Sequence, residues 1–302
     1  SVIVPIQPKG DRPPLFLIHG LLGTLNFFND FVAHCEPDQP ILGVQSQMLA
    51  GATEPVMRME DLAQKYLAEI RTAQPHGPYY LLGYSFGGVL AFEMAQQLAA
   101  ANEPVGMLGM LDTREAGLVR DIKQVESRGD RLTRWGVRIL RELRHVVAGP
   151  RRIAHFATLV SDRFNYHLIP RLTREIHLRF ARAGRRLPWF LLNDHHINEF
   201  AAGEYRPRPY IGKITLFRAA RGIASADDRF GADLGWERWT TQGVEVHEIP
   251  GTHEDLMTEP NVRVVAQEVA VCLERGRKTR GRDAIAPIAE SAPLTGLSAV
   301  NE

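Results

Sequence analysis

The run Gly83-Tyr84-Ser85-Phe86-Gly87-Gly88 sets a serine directly after an apolar stretch, Tyr79 to Leu82, and directly before an amphipathic one, Val89 to Leu98. A serine on a sharp strand-to-helix turn has its hydroxyl exposed at the end of a sheet, and glycines two residues to either side let the backbone turn without collision. The chemistry this allows is nucleophilic, with Ser85 Oγ attacking an acyl carbon. The G-x-S-x-G pattern is weak alone; between strand and helix signals it becomes specific.

A serine hydroxyl needs a base to take its proton, and the base needs an acid to fix its tautomer and stabilise its charged form. His253, in Pro250-Gly251-Thr252-His253-Glu254, follows the last strand candidate, and the chain order serine, acid, histidine suits a sheet of this kind. The other histidines have plainer readings. His19 shapes a strand's exit loop, His195 and His196 lie near the end of an insert, and His247 is inside a strand. Asp112 closes the stretch Val105 to Leu111, which follows the nucleophile's own helix and is expected beside its strand. Asp227 and Asp228, after Ile214 to Phe217, compete with it, and any of the three could instead be a helix cap or turn residue. The oxyanion formed on attack requires N–H donors. These are expected from Phe86, directly after the nucleophile, and from Leu21, in the loop His19-Gly20-Leu21-Leu22-Gly23 after the first core strand.

Elements must hold these residues together. Apolar runs at Leu15 to Ile18, Ile41 to Val44, Tyr79 to Leu82, Val105 to Leu111, Ile214 to Phe217 and Val244 to Ile249 are short and poorly alternating, as parallel strands buried on both faces are. Met59 to Gln74, with Leu62, Tyr66 and Ile70 on one face, Val89 to Ala101 and Val262 to Arg275 read as helices. The alternation predicts the α/β class, with a mostly parallel central sheet flanked by helices. It stops between Arg114 and Arg186, where 18 Lys or Arg stand against 7 Asp or Glu; the net of +11 leaves −10 for the rest of a chain whose total is +1. There Trp135, Ile139 and Leu143, then Ile153, Phe156 and Val160, recur at helical spacing. A helical lid inserted over about 114–200 is therefore expected within a domain spanning 1–280. Its arginines read either as a solvated face or as a docking surface for an acidic partner. Residues 281–302 turn to Ala, Pro, Ser and Thr and are expected to form a disordered tail.

With 302 residues, 44% hydrophobic and 24% charged, the chain suits a globular α/β protein with a sizeable core. No apolar run approaches the ~18 residues that span a bilayer, and the first residues lack the basic start and apolar centre of a signal peptide. A cytoplasmic setting without membrane attachment is expected. Near-neutral total charge and no recognised binding motif argue against nucleic acid as a partner. The two cysteines, Cys35 and Cys272, have no metal-like spacing, so neither a disulfide framework nor a metal site is expected. The chain opens on Ser1 rather than Met, as a domain cut from a longer polypeptide would.

Beyond the serine turn, a series of motifs runs along the chain: Phe16-Leu17-Ile18-His19-Gly20, Gln74-Pro75-His76-Gly77-Pro78-Tyr79, Leu81 to Gly88, Ala91-Phe92-Glu93-Met94-Ala95, Leu111-Asp112, and Tyr205-Arg206-Pro207-Arg208-Pro209-Tyr210 before Gly212. Together they resemble the thioesterase domains that end non-ribosomal peptide, polyketide and fatty-acid synthases, within the α/β-hydrolase superfamily. The likeness runs from about Val4 to Leu273, with only the insert weakly matched. It implies an α/β-hydrolase fold and a triad of Ser85, Asp112 and His253, favouring Asp112 over the later aspartates. It also implies an acyl, polyketide or peptidyl substrate delivered as a thioester on the phosphopantetheine arm of an acyl or peptidyl carrier protein, with no cofactor or metal bound. Release would pass through an acyl-Ser85 intermediate, by hydrolysis or by attack of an amine or hydroxyl that gives cyclisation or transfer. Other readings of the same residues are a stand-alone editing thioesterase, a carboxylesterase or lipase on free esters, and a catalytically silent module that binds acyl chains or a carrier.

Overall fold

The computed structural model describes residues 1–52, 55–115, 176, 179–180, 194–221 and 231–283. Among them seven strands form one sheet: β1 (Ile3–Gln7), β2 (Leu15–Ile18), β3 (Ile41–Val44), β4 (Tyr79–Tyr84), β5 (Val105–Leu111), β6 (Ile214–Ala219) and β7 (Val244–Ile249), in the order β1-β3-β2-β4-β5-β6-β7. Every neighbouring pair is parallel except β1 with β3. The expected mostly parallel sheet flanked by helices is therefore what the chain forms. β1 is the addition. Pro5 inside the run hides it, because proline cannot donate to a ladder and is tolerated on an edge strand, which is where β1 lies.

Five described helices of regular α type accompany the strands: α1 (Asn29–Ala33), α2 (Met59–Ala73), α3 (Phe86–Ala100), α4 (Asp194–Glu204) and α5 (Asn261–Asp283). One face of the sheet is covered through Leu62, Tyr66 and Ile70 of α2 and Leu90, Phe92 and Met94 of α3. Phe31 of α1 with Val262, Val265 and Val269 of α5 covers the other. Burial on both faces is why β2 and β4 read as unbroken apolar runs rather than alternating ones. Helix α3 is buried nearly all round, since the sheet, α2 and the segment around Tyr205 and Trp236 enclose it.

β4 and β6 each run two residues beyond their apolar runs, to Tyr84 and Ala219, and two helix boundaries differ by more than one residue from the sequence reading. Helix α3 starts at Phe86 rather than Val89, taking Gly87 and Gly88 into its first turn. Helix α5 runs to Asp283, beyond both Arg275 and the expected end of the domain at 280. The basic residues after Arg275 suit the negative end of the helix dipole, while Gly276 and Gly281 make the stretch read as a helix end in the sequence. Most of the insert, with Arg138, Arg141 and Arg144 and its apolar repeats, lies outside the described residues, as do Asp227, Asp228 and 284–302. The C-terminal end of the segment expected to form the lid is α4, whose Ile197, Asn198, Phe200 and Ala201 are buried.

The strand order reverses at β2. From β2 the chain passes to β3 on one side and then to β4 on the other. At such a switch point the loops leaving the carboxyl ends of the two strands diverge and leave a crevice, the usual ligand position in sheets of this type. The loop after β2 carries Leu21, and the turn after β4 carries Ser85.

Candidate active site

Ser85 occupies a backbone conformation, φ 54° and ψ −114°, that non-glycine residues rarely adopt. Its surroundings enforce it. The Ser85 N–H donates to Leu111 O on the neighbouring strand (3.0 Å), while Ser85 O accepts from Gly88 N–H (3.0 Å) and from Thr113 Oγ1 (3.1 Å). The flanking glycines answer to close approach. A Cβ on Gly83 would collide with the Gly87 carbonyl, and one on Gly87 would lie 2.5 Å from the carbonyl oxygens of Ile18 and His19. The tight turn thus presses the start of α3 against the end of β2 and leaves Ser85 half-buried at the carboxyl end of the sheet.

Asp112 follows β5, whose Leu111 pairs with Tyr84 of β4, so the aspartate stands one strand away from the serine. It too has a positive φ, 42°, which aspartate tolerates better than most residues. Its N–H donates to Phe217 O (2.8 Å), and its carboxylate is buried. Oδ1 accepts from Ala219 N–H (3.0 Å), and Oδ2 accepts from His253 Nδ1 at 2.7 Å. An ionised carboxylate only accepts hydrogen bonds, so Nδ1 bears the proton and Nε2 is left as the basic nitrogen.

His253 lies in the loop after β7 and is half-buried. Gly251, at φ +104°, turns the chain out of the strand; the Asp255 carboxylate then accepts from Thr252 N–H and from Asn261 Nδ2, pinning the loop. Tyr84 holds the histidine directly. Its hydroxyl donates to His253 O (2.6 Å), and its ring stacks on the imidazole at 4.9 Å between centroids. Burial, with Asp112 and Glu254 nearby, pushes the Tyr84 phenol well above its ordinary pKa, so it stays a neutral donor. Because Tyr84 precedes Ser85, one peptide step separates the serine from the residue that seats His253.

The structure therefore brings Asp112 and His253 into direct contact; Ser85 follows Tyr84, which holds His253, and its N–H bonds Leu111, the residue before Asp112. Phe86 is the first residue of α3, where backbone N–H groups and the helix dipole favour negative charge. Leu21 lies across the switch point in the loop after β2. The rival histidines have other partners. His19 is fully buried, and His247 Nδ1 contacts Glu268 at 2.8 Å. His195 and His196 are on α4, where with Glu199 they form a half-buried cluster of side chains of metal-ligand type. Tyr84 and Thr113 received no role from the sequence, although Tyr84 stands next to Ser85 in the motif itself.

The sequence model of the family described as Thioesterase domain matches residues 13–270. The chain belongs to this family. Among relatives of this thioesterase domain, malpibaldin synthetase of Mortierella alpina is 31% identical over 277 residues, 91% of this chain and 4% of that protein. A probable non-canonical nonribosomal peptide synthetase, CymA, of Salinispora arenicola is 26% identical over 88% of this chain and 3% of its own length. The thioesterase domain thus spans only a few per cent of the length of these relatives. Two solved structures are similar in fold. The NocB thioesterase domain, in covalent complex with a fluorophosphonate nocardicin G analog, has a TM-score of 0.60 at 21% identity and covers 90% of this chain and 100% of that one. Holo-AB3403, a four-domain nonribosomal peptide synthetase bound to AMP and glycine, has a TM-score of 0.59 at 25% identity and covers 89% and 20%. With the sheet described above, these likenesses establish the α/β-hydrolase arrangement. Among the described residues, no helix is long and apolar enough to cross a membrane.

Proposed function

We propose that this thioesterase domain releases an acyl or peptidyl chain from the phosphopantetheine thioester of a carrier protein, with Ser85, His253 and Asp112 acting as a triad. The observation that carries the reading is the 2.7 Å bond from His253 Nδ1 to a buried Asp112, seated by the residue that precedes Ser85. The relatives named as peptide synthetases support a peptidyl chain and a carrier-protein partner.

In the first half-reaction Ser85 Oγ attacks the thioester carbonyl as His253 Nε2 takes its proton. Asp112 stabilises the imidazolium and holds its orientation. The oxyanion is received by the N–H groups of Leu21 and Phe86, and each such donor is typically worth about 2.7–4 kcal/mol in the transition state. Collapse expels the pantetheine sulfur, which takes the proton from His253. A thiol of pKa near ~8.5, like a free cysteine side chain, is a good leaving group. In the second half-reaction His253 activates water, or an amine or hydroxyl of the bound chain, to attack the Ser85 ester. A well-held internal nucleophile reaches effective molarities of about 10⁵ M or more, so a lid that folds the chain and excludes water favours cyclisation over hydrolysis.

The test is covalent. On incubation with an acyl-pantetheine thioester, the intact mass of the wild-type protein is expected to rise by one acyl group while that of Ser85→Ala does not change. An adduct on the alanine variant would remove Ser85 from the mechanism.

A further inference from the structure

A backbone N–H is aimed only when the peptide planes on both sides of its Cα are fixed. The Leu21 N–H belongs to the Gly20–Leu21 plane, whose carbonyl oxygen accepts from His19 Nδ1 (2.7 Å) and from Gly23 N–H (3.0 Å). The following plane, Leu21–Leu22, is gripped from another part of the chain: Asn198 Nδ2, on α4, donates to Leu21 O at 3.0 Å. Both side chains are buried, His19 at 0% exposure and Asn198 at 2%, so neither bond competes with water.

The proton on His19 is also fixed. Tyr66 Oη already accepts from Gln47 N–H (3.0 Å) and lies 3.0 Å from His19 Nε2. The phenol proton is then directed to Nε2, which leaves Nδ1 as the N–H that meets Gly20 O. The row Gln47 N–H, Tyr66 O–H, His19 N–H, Gly20 C=O is a chain of aligned donors, and such chains polarise one another. It ends on the peptide that carries the Leu21 N–H. The His19 ring also stacks on Phe86, the residue bearing the second expected donor, at 5.7 Å and 25°. The far end of the loop is seated as well: Gly23, at φ +80°, has no room for a Cβ between Asp194 of α4 and Ser46, and its carbonyl accepts from Ser46 N–H (3.0 Å).

We infer that His19 and Asn198 are positioning residues for the oxyanion hole, each locking one of the two peptide planes that flank Leu21. The inference rests on the reading of Leu21 N–H as an oxyanion donor to Ser85 chemistry. Through Asn198, it makes the end of the insert part of the catalytic apparatus.

Two measurements on the same variants test it: kcat and KM with an acyl-pantetheine thioester, and calorimetric affinity for phenylboronic acid. Addition of Ser85 makes the boron tetrahedral and puts a boronate oxygen where the oxyanion forms. Complete loss of one donor costs about 10²–10³-fold in kcat; a mis-aimed donor in His19→Leu or Asn198→Leu is expected to cost about 10- to 100-fold, in kcat and boronate affinity alike, with little change in KM. His19→Asn, whose amide can donate from nearly the same place as Nδ1, should recover most of both. Tyr66→Phe keeps the ring and removes only the proton directed at Nε2, so a severalfold loss is expected. A purely structural role would lower the melting temperature and the number of boronate sites per protein without weakening each site, and that result in both leucine variants would overturn the inference. Ser85→Ala separates the two levels. If it abolishes boronate binding while the leucine variants bind normally, the positioning inference alone falls; if Ser85→Ala still binds boronate as tightly as the wild type, the reading of the site falls and takes the inference with it.

Discussion

Asp112 uses both carboxylate oxygens, one on the Ala219 backbone and one on His253, so its position is set by the sheet and its charge is spent on the imidazole. Asp112→Asn keeps the shape but offers His253 an amide that can hold the ring in the other tautomer, with the proton on Nε2. By analogy with serine triads in general, kcat is expected to fall on the order of 10⁴-fold with the fold intact, measured on an acyl-pantetheine thioester. His19 makes a different prediction. Burial, only partly offset by its bond to Gly20, pushes its pKa down from 6.5 to about 4. Between those pH values the unfolded chain binds a proton that the folded chain refuses, so stability is lost as pH falls from 6.5 toward 4, by about 3 kcal/mol from this group. Urea unfolding should show that loss in the wild type and a correspondingly shallower decline in His19→Asn.

Helix α3 shows how elements far apart in the chain share the work. Its Glu93 is fully buried, yet Oε2 accepts from the Tyr205 hydroxyl (2.8 Å), Oε1 accepts from Gln97 Nε2 (2.8 Å), and the Arg208 guanidinium lies 3.5 Å away. Two of the sequence motifs, Ala91 to Ala95 and Tyr205 to Tyr210, are thus joined in one network on helix α3, which follows Ser85. Tyr205→Phe strands a buried carboxylate oxygen and should destabilise the fold by about 1–3 kcal/mol in denaturant unfolding, while kcat per folded molecule stays near wild type. Six of the seven strands were legible because burial on both faces leaves an unbroken apolar run. β1 was not, because a proline-containing edge strand carries no such run. The true start of α3 was hidden for a similar reason: Gly87 and Gly88 look like helix breakers, but the space beside Ile18, His19 and Thr113 admits no side chain. Ser85 and His253 stand out by residue type and chain order, and Asp112 is preferred to Asp227 and Asp228 through the family resemblance; the structure adds the contact between Asp112 and His253. The supporting roles of Tyr84, His19 and Asn198 depend on contacts across 169, one and 177 residues and on which donor faces which carbonyl, and no local pattern encodes that.

Taken as one body, the domain gathers a turn after β4, a bend after β5 and a loop after β7 at the carboxyl edge of a single sheet, next to the place where strand order reverses. Parallel strands make this possible, since all their carboxyl ends face the same way. The thioesterase-domain family match, residues 13–270, spans all three segments. What the triad reading requires above all is that His253 serve Ser85 rather than merely neighbour it. Groups that act as one unit lose nearly everything when any of the two is removed, and little more when both are. Steady-state rates of Ser85→Ala, His253→Ala and the double variant on one acyl thioester decide the matter. The expected result is a common residual rate, equal within a few-fold for all three; separate losses that multiply in the double variant, or a His253→Ala protein close to wild type, would contradict it.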